Sequence, residues 1–210
     1  MPLLALVAEA WRPAELQAAV DWLAAGRVVA LPTDTFYGLA ADPRSPEAVR
    51  RIFEIKGRQA GEALPLVAAS LAQVEDGCGR LGARAQRLAA RFWPGPLALV
   101  VDAPAPLAAG VHGGRGTIAI RVPAHAVTRA LCEAWGGPLT ATSANRSGAP
   151  PARTAAELGD LADDARVLVV DAGAAPGGRP STIVDVRAAS PALVRAGAID
   201  WERVLESLHG

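Results

Sequence analysis

Apolar residues along this chain fall into short blocks, and the spacing inside each block sorts it into helix or strand. Leu16, Ala19, Val20, Leu23 and Ala24 recur at helical spacing, which predicts a first helix over 13–25 with Gly26 as its C-cap. The unbroken run Val28-Val29-Ala30-Leu31 predicts a buried strand over 27–31, ended by Pro32, which cannot continue a central ladder. Ser45-Pro46-Glu47 opens a second helix with a capping hydroxyl, a proline at the first position and an acid in the first turn. Ala48, Val49, Ile52 and Phe53 form its buried face, and it ends near Lys56. Further strands are predicted over 64–69 and 97–101, separated by a helix over 83–92 that Trp93-Pro94-Gly95-Pro96 stops as a rigid turn. The stretch 103–116 is rich in Pro, Ala and Gly and reads as a mobile loop or lid, with His112 and Arg115 as solvated residues on it.

The strand over 117–122 alternates. Ile118, Ile120 and Val122 face one side, which turns Arg121 to the other with Thr117 and Ala119. An arginine in a buried strand needs a partner, either an internal carboxylate or an anionic ligand. A helix over 124–135 and a strand over 138–142 follow. Thr154 opens another helix, with Glu157 as its capping-box partner. Strands over 166–170, 181–186 and 192–195, a flexible loop over 171–180 and a helix over 201–208 complete the chain. About seven strands interleaved with about five or six helices make an α/β fold. No repeat or linker divides it, so one domain over 1–210 is expected.

Composition narrows the function. The chain has 210 residues, 51% of them hydrophobic, and 21 basic side chains balance 21 acidic ones. Zero net charge argues against a protein that coats nucleic acid through bulk electrostatics, while leaving room for a local basic groove. Cys78 and Cys132 form no zinc or disulfide pattern, and His112, His125 and His209 lack ligand spacing, so no metal-ligating residues are assigned. The apolar stretch 3–8 is broken by Glu9 and lacks a basic start, and no segment is long enough to span a membrane. A cytoplasmic location is expected.

The candidate chemistry lies at strand ends. Thr33, Asp34, Thr35 and Tyr37 collect where the first buried strand opens into a loop, the usual place for ligands in α/β folds. Lys56 and Arg58 flank Gly57 at the edge of a helix, a pairing suited to polyphosphate. Ser143 and Asn145 repeat the strand-end arrangement. There is no G-x-x-x-x-G-K-[ST] loop, no G-x-S-x-G elbow and no H-E-x-x-H pair. Hydroxyls, amides and cations suit binding and electrostatic positioning rather than covalent catalysis.

Pro32-Thr33-Asp34-Thr35-Phe36-Tyr37-Gly38-Leu39 with Lys56-Gly57-Arg58 resembles the YrdC/Sua5 family, the threonylcarbamoyl-AMP synthases of tRNA modification. Trp93-Pro94-Gly95-Pro96-Leu97, Ile120-Arg121-Val122-Pro123, Thr142-Ser143-Ala144-Asn145-Arg146-Ser147-Gly148, Ser181-Thr182-Ile183-Val184-Asp185 and Arg195-Ala196-Gly197-Ala198-Ile199 extend the resemblance, in the family's order, over nearly the whole chain. It implies a twisted mixed β-sheet surrounded by helices, with a concave substrate groove. It implies a reaction in which L-threonine, bicarbonate or CO2 and ATP give threonylcarbamoyl-AMP and pyrophosphate. Mg²⁺ is expected with the ATP substrate, held mainly by phosphates and water. The product would pass to a downstream tRNA threonylcarbamoyl transferase, with a direct tRNA contact as a further expectation and no membrane contact.

The same resemblance assigns roles. Lys56, Arg58 and Arg195 face the ATP phosphates, Lys56 and Arg58 in the catalytic role, and Thr117, Ser143 and Asn145 complete the nucleotide site. Thr35, Arg121 and Ser181 hold threonine, Arg121 through its carboxylate. Thr33 and Tyr37 shape the loop between, Tyr37 having a second reading as a packed core aromatic. Asp34 is either a general base or structural and is not assigned. The chain departs from the family pattern at Gln59, where a proline is usual, and at Glu62-Ala63-Leu64, where a polar residue precedes Pro-Leu. A carboxylate at Glu62 would repel a polyphosphate unless it is paired or turned away. An RNA-binding module without synthase activity is the alternative from another class, disfavoured by the absence of an aromatic and basic stripe. A carbamoyl-transfer domain of a hydrogenase-maturation protein is a third, and would need flanking zinc-finger and acylphosphatase-like segments.

Overall fold

The structure is a computed structural model that describes residues 2–6, 11–58, 61–104 and 106–209. In chain order its elements begin with β1 (Leu3–Ala5), α1 (Gln17–Ala24), β2 (Val28–Pro32), β3 (Tyr37–Ala40), α2 (Pro46–Lys56), β4 (Leu66–Val67), α3 (Leu71–Cys78), α4 (Ala83–Phe92), β5 (Leu97–Asp102) and α5 (Ala109–His112). They continue with β6 (Thr117–Arg121), α6 (Ala126–Trp135), β7 (Leu139–Thr140), β8 (Thr142–Ser143), α7 (Asp160–Asp163), β9 (Val167–Asp171), β10 (Thr182–Asp185), β11 (Ala192–Arg195) and α8 (Trp201–His209).

The strands form two mixed sheets, in the orders β1-β9-β2-β3-β8 and β11-β10-β5-β6-β4-β7. In the first, β2 runs parallel to β9 and antiparallel to β3; in the second, β5 runs parallel to β10 and antiparallel to β6. The expected α/β fold is present, with its strands divided between two sheets that meet at Ala141. The strand expected over 138–142 splits there: β7 pairs with β4 in one sheet and β8 with β3 in the other. Buried Thr140 fastens the junction. Its amide donates to Ala41 O at 3.0 Å, and its Oγ1 accepts from Ala41 N at 2.9 Å.

β2 shows why its sequence is an unbroken apolar run. Val28 and Ala30 enter one core cluster with Leu39, Ile52 and Leu99, while Val29 and Leu31 enter a second with Leu16, Leu23 and Leu131. A strand buried on both faces has no polar side to alternate with. α2 follows the sequence signals closely. Ser45 Oγ accepts from Ala48 N at 3.2 Å, and Gly57 closes the helix in the left-handed region at φ 62°.

Three further expectations change. β3 occupies residues read as loop, since Tyr37 to Ala40 fold back on β2 as a hairpin with Pro32 opposite Tyr37. Within the stretch read as a free loop or lid, residues 109–112 form α5 and pack on α2: Val111 is fully buried and Val111 O accepts from Leu64 N at 2.9 Å. Gly110 makes this docking close, because a Cβ there would lie 2.9 Å from Val49 Cγ1. The helix expected from Thr154 is a 3₁₀ turn (Ala156–Leu158) followed by α7, broken at Gly159 with φ 53°. Thr154 Oγ1 caps it by accepting from Glu157 N, and the Glu157 carboxylate reaches back to Arg153 N at 2.7 Å.

Candidate active site

A groove of about 1080 Å³ opens where the two sheets meet. Strand alternation builds its floor. Thr117, Ala119 and Arg121 of β6 line the groove, while Ile118 and Ile120 send their side chains into the core cluster. Ile183 and Asp185 of β10 likewise line it, with Val184 buried beneath. The β2–β3 turn forms one wall. Thr33 Oγ1 donates to Phe36 O at 2.8 Å and accepts from Thr35 N at 3.2 Å, which holds the turn in shape and leaves Thr35 Oγ1 3.2 Å away.

Arg121 is buried and forms an ion pair with Asp34. Its Nη2 lies 3.4 Å from Thr33 Oγ1. The other Asp34 oxygen accepts from Ala124 N at 3.1 Å. The strand pattern called for either an internal carboxylate or an anionic ligand beside Arg121; the structure places Asp34 there, a residue the sequence left unassigned. Arg195 faces Ser181, donating from Nη2 to Ser181 O at 2.7 Å and to Oγ at 2.9 Å. Burial, and then the charge of Arg121, lower the pKa of Arg195. Arg121 and Arg195 are thus near enough for their charges to repel, beside the Ser181 hydroxyl.

At the other end stand Lys56, Arg58, Ser143 and Asn145. Lys56 Nζ is buried and donates to Ser143 O at 2.5 Å, Asn145 O at 2.9 Å and Asn145 Oδ1 at 3.3 Å. Its three donors are thereby committed to the end of β8 and the loop after it. Burial, and then the neighbouring Arg58, lower its pKa to about 8. Ser143 Oγ donates to Asn145 Oδ1 at 2.5 Å, and Asn145 Nδ2 donates to Ala149 O at 2.5 Å. Arg58 pairs with Glu62, and both line the groove.

Among the sequence-predicted residues, Thr35, Arg58, Thr117, Arg121, Ser143, Ser181 and Arg195 line this one groove. Lys56 and Asn145 lie behind Ser143, tied to it and to each other. Tyr37 is fully buried, and its hydroxyl donates to Gly173 O at 2.8 Å and Asp171 Oδ1 at 3.2 Å. Burial, then the charge and hydrogen bond of Asp171, raise its pKa far above the usual phenol range. Sequence reasoning missed the reach of the loop over 171–180. Gly177 N donates to Thr35 O at 2.7 Å, and Gly178 and Pro180 line the groove. The run of glycines at Gly173, Gly177 and Gly178, all with positive φ, is the signal that was available. Arg115, read as a solvated loop residue, also lines the groove. Among the described residues, no group of three or more His, Cys, Asp or Glu is placed to hold a metal ion, and no helix is long and apolar enough to cross a membrane.

Comparison with known proteins extends this picture. Residues 21–197 match the family model Sua5/YciO/YrdC, described as telomere recombination. The chain is 41% identical over 165 residues to a Thiobacillus denitrificans protein named threonylcarbamoyl-AMP synthase, covering 79% of this chain and 87% of that one. It is 36% identical over 196 residues to a Pyrococcus abyssi protein of the same name, covering 93% of this chain and 57% of the relative. The crystal structure of P. abyssi Sua5 complexed with L-threonine superposes with a TM-score of 0.92 at 33% identity, over 99% of this chain and 61% of that chain. The chain therefore spans only about three fifths of the archaeal protein. The Escherichia coli YciO structure shares the fold, with a TM-score of 0.84 at 24% identity over 95% of this chain and 98% of that one. On the family match and these identities, the chain belongs to the Sua5/YciO/YrdC family.

Proposed function

We propose that this chain is a threonylcarbamoyl-AMP synthase, a nucleotidyltransferase. The observation that carries the reading is the convergence on one groove of the guanidinium groups of Arg58, Arg121 and Arg195, with hydroxyls between them and Lys56 buried behind Ser143. Several cations spread along one groove suit one substrate with a carboxylate and another with a triphosphate. The neutral amine of L-threonine adds to CO2 with release of a proton, or condenses with bicarbonate with release of water, to give an N-carboxylate whose oxygen attacks the α-phosphorus of ATP. The new P–O bond forms as the bond to pyrophosphate breaks, and pyrophosphate leaves.

In this reading Arg121 offers the N–H groups not taken by Asp34 to threonine's carboxylate, beside Thr35 and Ser181. Arg58 and Arg195 meet the phosphates, where developing charge makes positioned cations most effective. Thr117, Ser143 and Asn145 hold the nucleotide, and Lys56 supports Ser143 and Asn145 from below while adding its charge to the phosphate end. Glu62 and Asp185 are the acidic residues of the groove lining, and each is held by an arginine. Mg²⁺ therefore enters with ATP as part of the substrate, held by phosphate oxygens and water. The mixed anhydride product goes to a transferase that modifies adenosine in tRNA, in the cytoplasm, with direct contact to the tRNA as a further part of the reading.

The test is pyrophosphate release from ATP by the purified chain. Release should require both threonine and bicarbonate. Equal turnover with either omitted would overturn the synthase reading.

A further inference from the structure

The phosphate end of the groove contains a carboxylate with no role in the reaction just described. Arg58 follows the left-handed cap of α2, and its guanidinium forms part of the groove wall with a side-chain exposure of 18%. Glu62 lies four residues on, 73% exposed, and its carboxylate pairs with that guanidinium. The pairing with Glu62 is made through Arg58 Nη2, an outer nitrogen that a phosphate would use, while Nε is buried without a hydrogen-bond partner. The backbone on either side of Glu62 is anchored to the α5 region. Gly113 approaches Gly61 so closely that a Cβ would lie 2.7 Å from Gly61 O, and Leu64 N donates to Val111 O at 2.9 Å. The Glu62 side chain is thus presented from a fixed base, with solvent around it into which it is free to turn.

On the synthase reading, this arrangement puts an internal anion where the triphosphate must go. A carboxylate and a phosphate cannot share the same guanidinium edge without repulsion. We propose that Glu62 is an internal counter-anion of the nucleotide site: it holds Arg58 while the site is free, is displaced by the phosphates of ATP, and so sets ATP affinity. The consequence is a nucleotide site tuned weaker than its cations alone would make it, with Arg58 kept in place between turnovers.

An ion pair with one partner this exposed is worth a factor of about two to five in an equilibrium constant. Calorimetric binding of Mg²⁺-ATP without threonine reads it directly, on the full chain and without need of turnover. Glu62→Gln should tighten ATP binding about two- to fivefold, and should give no gain when placed on Arg58→Ala. Unchanged or weaker binding in Glu62→Gln would overturn the proposal, and so would a gain that persists without Arg58, since Glu62 would then act by general repulsion alone. A wild-type chain that binds ATP but releases no pyrophosphate with threonine and bicarbonate would sink the synthase reading, and the Glu62 comparison would still be decided by the binding data. A wild-type chain that does not bind ATP would overturn both.

Discussion

Asp34 and Arg121 form an ion pair across the line where the two sheets meet, with side chains 9% and 8% exposed. Asp34 belongs to the β2–β3 turn of one sheet and Arg121 to β6 of the other. The pair therefore does two things. It fixes the turn that carries Thr33 and Thr35 against the groove floor, and it sets the plane in which Arg121 presents its remaining N–H groups.

Removing one member of such a pair leaves the other as an uncompensated buried charge. Asp34→Ala should lower the unfolding free energy by about 3–5 kcal/mol, read from the urea midpoint. A loss below about 1 kcal/mol, the range of exposed pairs, would mean that the guanidinium finds water or another partner once Asp34 is gone.

Arg121→Lys keeps the charge and discards the planar fork. Threonine KM should rise by about tenfold or more, on the scale of a lost charge-assisted bond, while ATP binding without threonine changes little. Circular dichroism on the same sample establishes that the variant is folded. Wild-type threonine dependence in a folded variant would remove Arg121 from the amino-acid end of the site.

Gly197 packs the segment that carries Arg195 against the one that carries Ser181. A Cβ there would lie 2.3 Å from Pro180 O and 2.4 Å from both Ser181 C and Thr182 N, all backbone atoms. Ala198 N donates to Pro180 O at 2.8 Å, so the two segments cannot separate without losing that bond as well. Gly197→Ala should push the start of β10 away from Arg195, costing about 1–3 kcal/mol of stability. A displacement of about 1 Å at Ser181 and Arg195 would cost activity on the order of a hundredfold. Gly137→Ala, which meets no atom within 4 Å, is the matched control. Equal activity in the two variants would show that the contact relaxes without moving the site.

Much of this architecture could be read in the sequence, and the failures share a cause. α2 was legible because its cap, its apolar stripe and its terminating glycine all lie within a dozen residues. The groove face of β6 was legible because alternation is a local property. β3 was not: Gly38 interrupts the β-forming residues, and what makes Tyr37 to Ala40 a strand is pairing with β2 and β8. α3 had an unheeded signal, Ser70 with Gln73 three residues on, and Ser70 Oγ does accept from Gln73 N at 3.2 Å. α5 was hidden because its stability comes from contact with Val49 and Phe53 of α2. Asp34 could not be matched to Arg121, 87 residues away, from spacing alone.

Lys56 offers a test in which stability and function move in opposite directions with pH. Its Nζ is buried against three oxygens, and burial with the charge of Arg58 brings its pKa to about 8. An unfolded lysine titrates near about 10.4, so between about pH 8 and pH 10.4 the unfolded chain holds this proton and the folded chain does not. Stability from this group therefore rises as pH climbs through that window, and below it the folded chain carries the full cost of a buried charge. Nucleotide binding should do the reverse, because phosphates favour the protonated ammonium. ATP affinity, measured by calorimetry without threonine so that the amino acid's own titration does not intrude, should fall about tenfold between about pH 7.5 and pH 9.5. Lys56→Met removes the ionisable group while keeping most of its length. It should bind ATP about tenfold or more weakly at the lower pH, and its affinity should be nearly flat across the range. Wild-type affinity as flat as the variant's would mean that the Lys56 charge is spent wholly on Ser143 and Asn145, and that Lys56 serves the groove only by holding that loop in place.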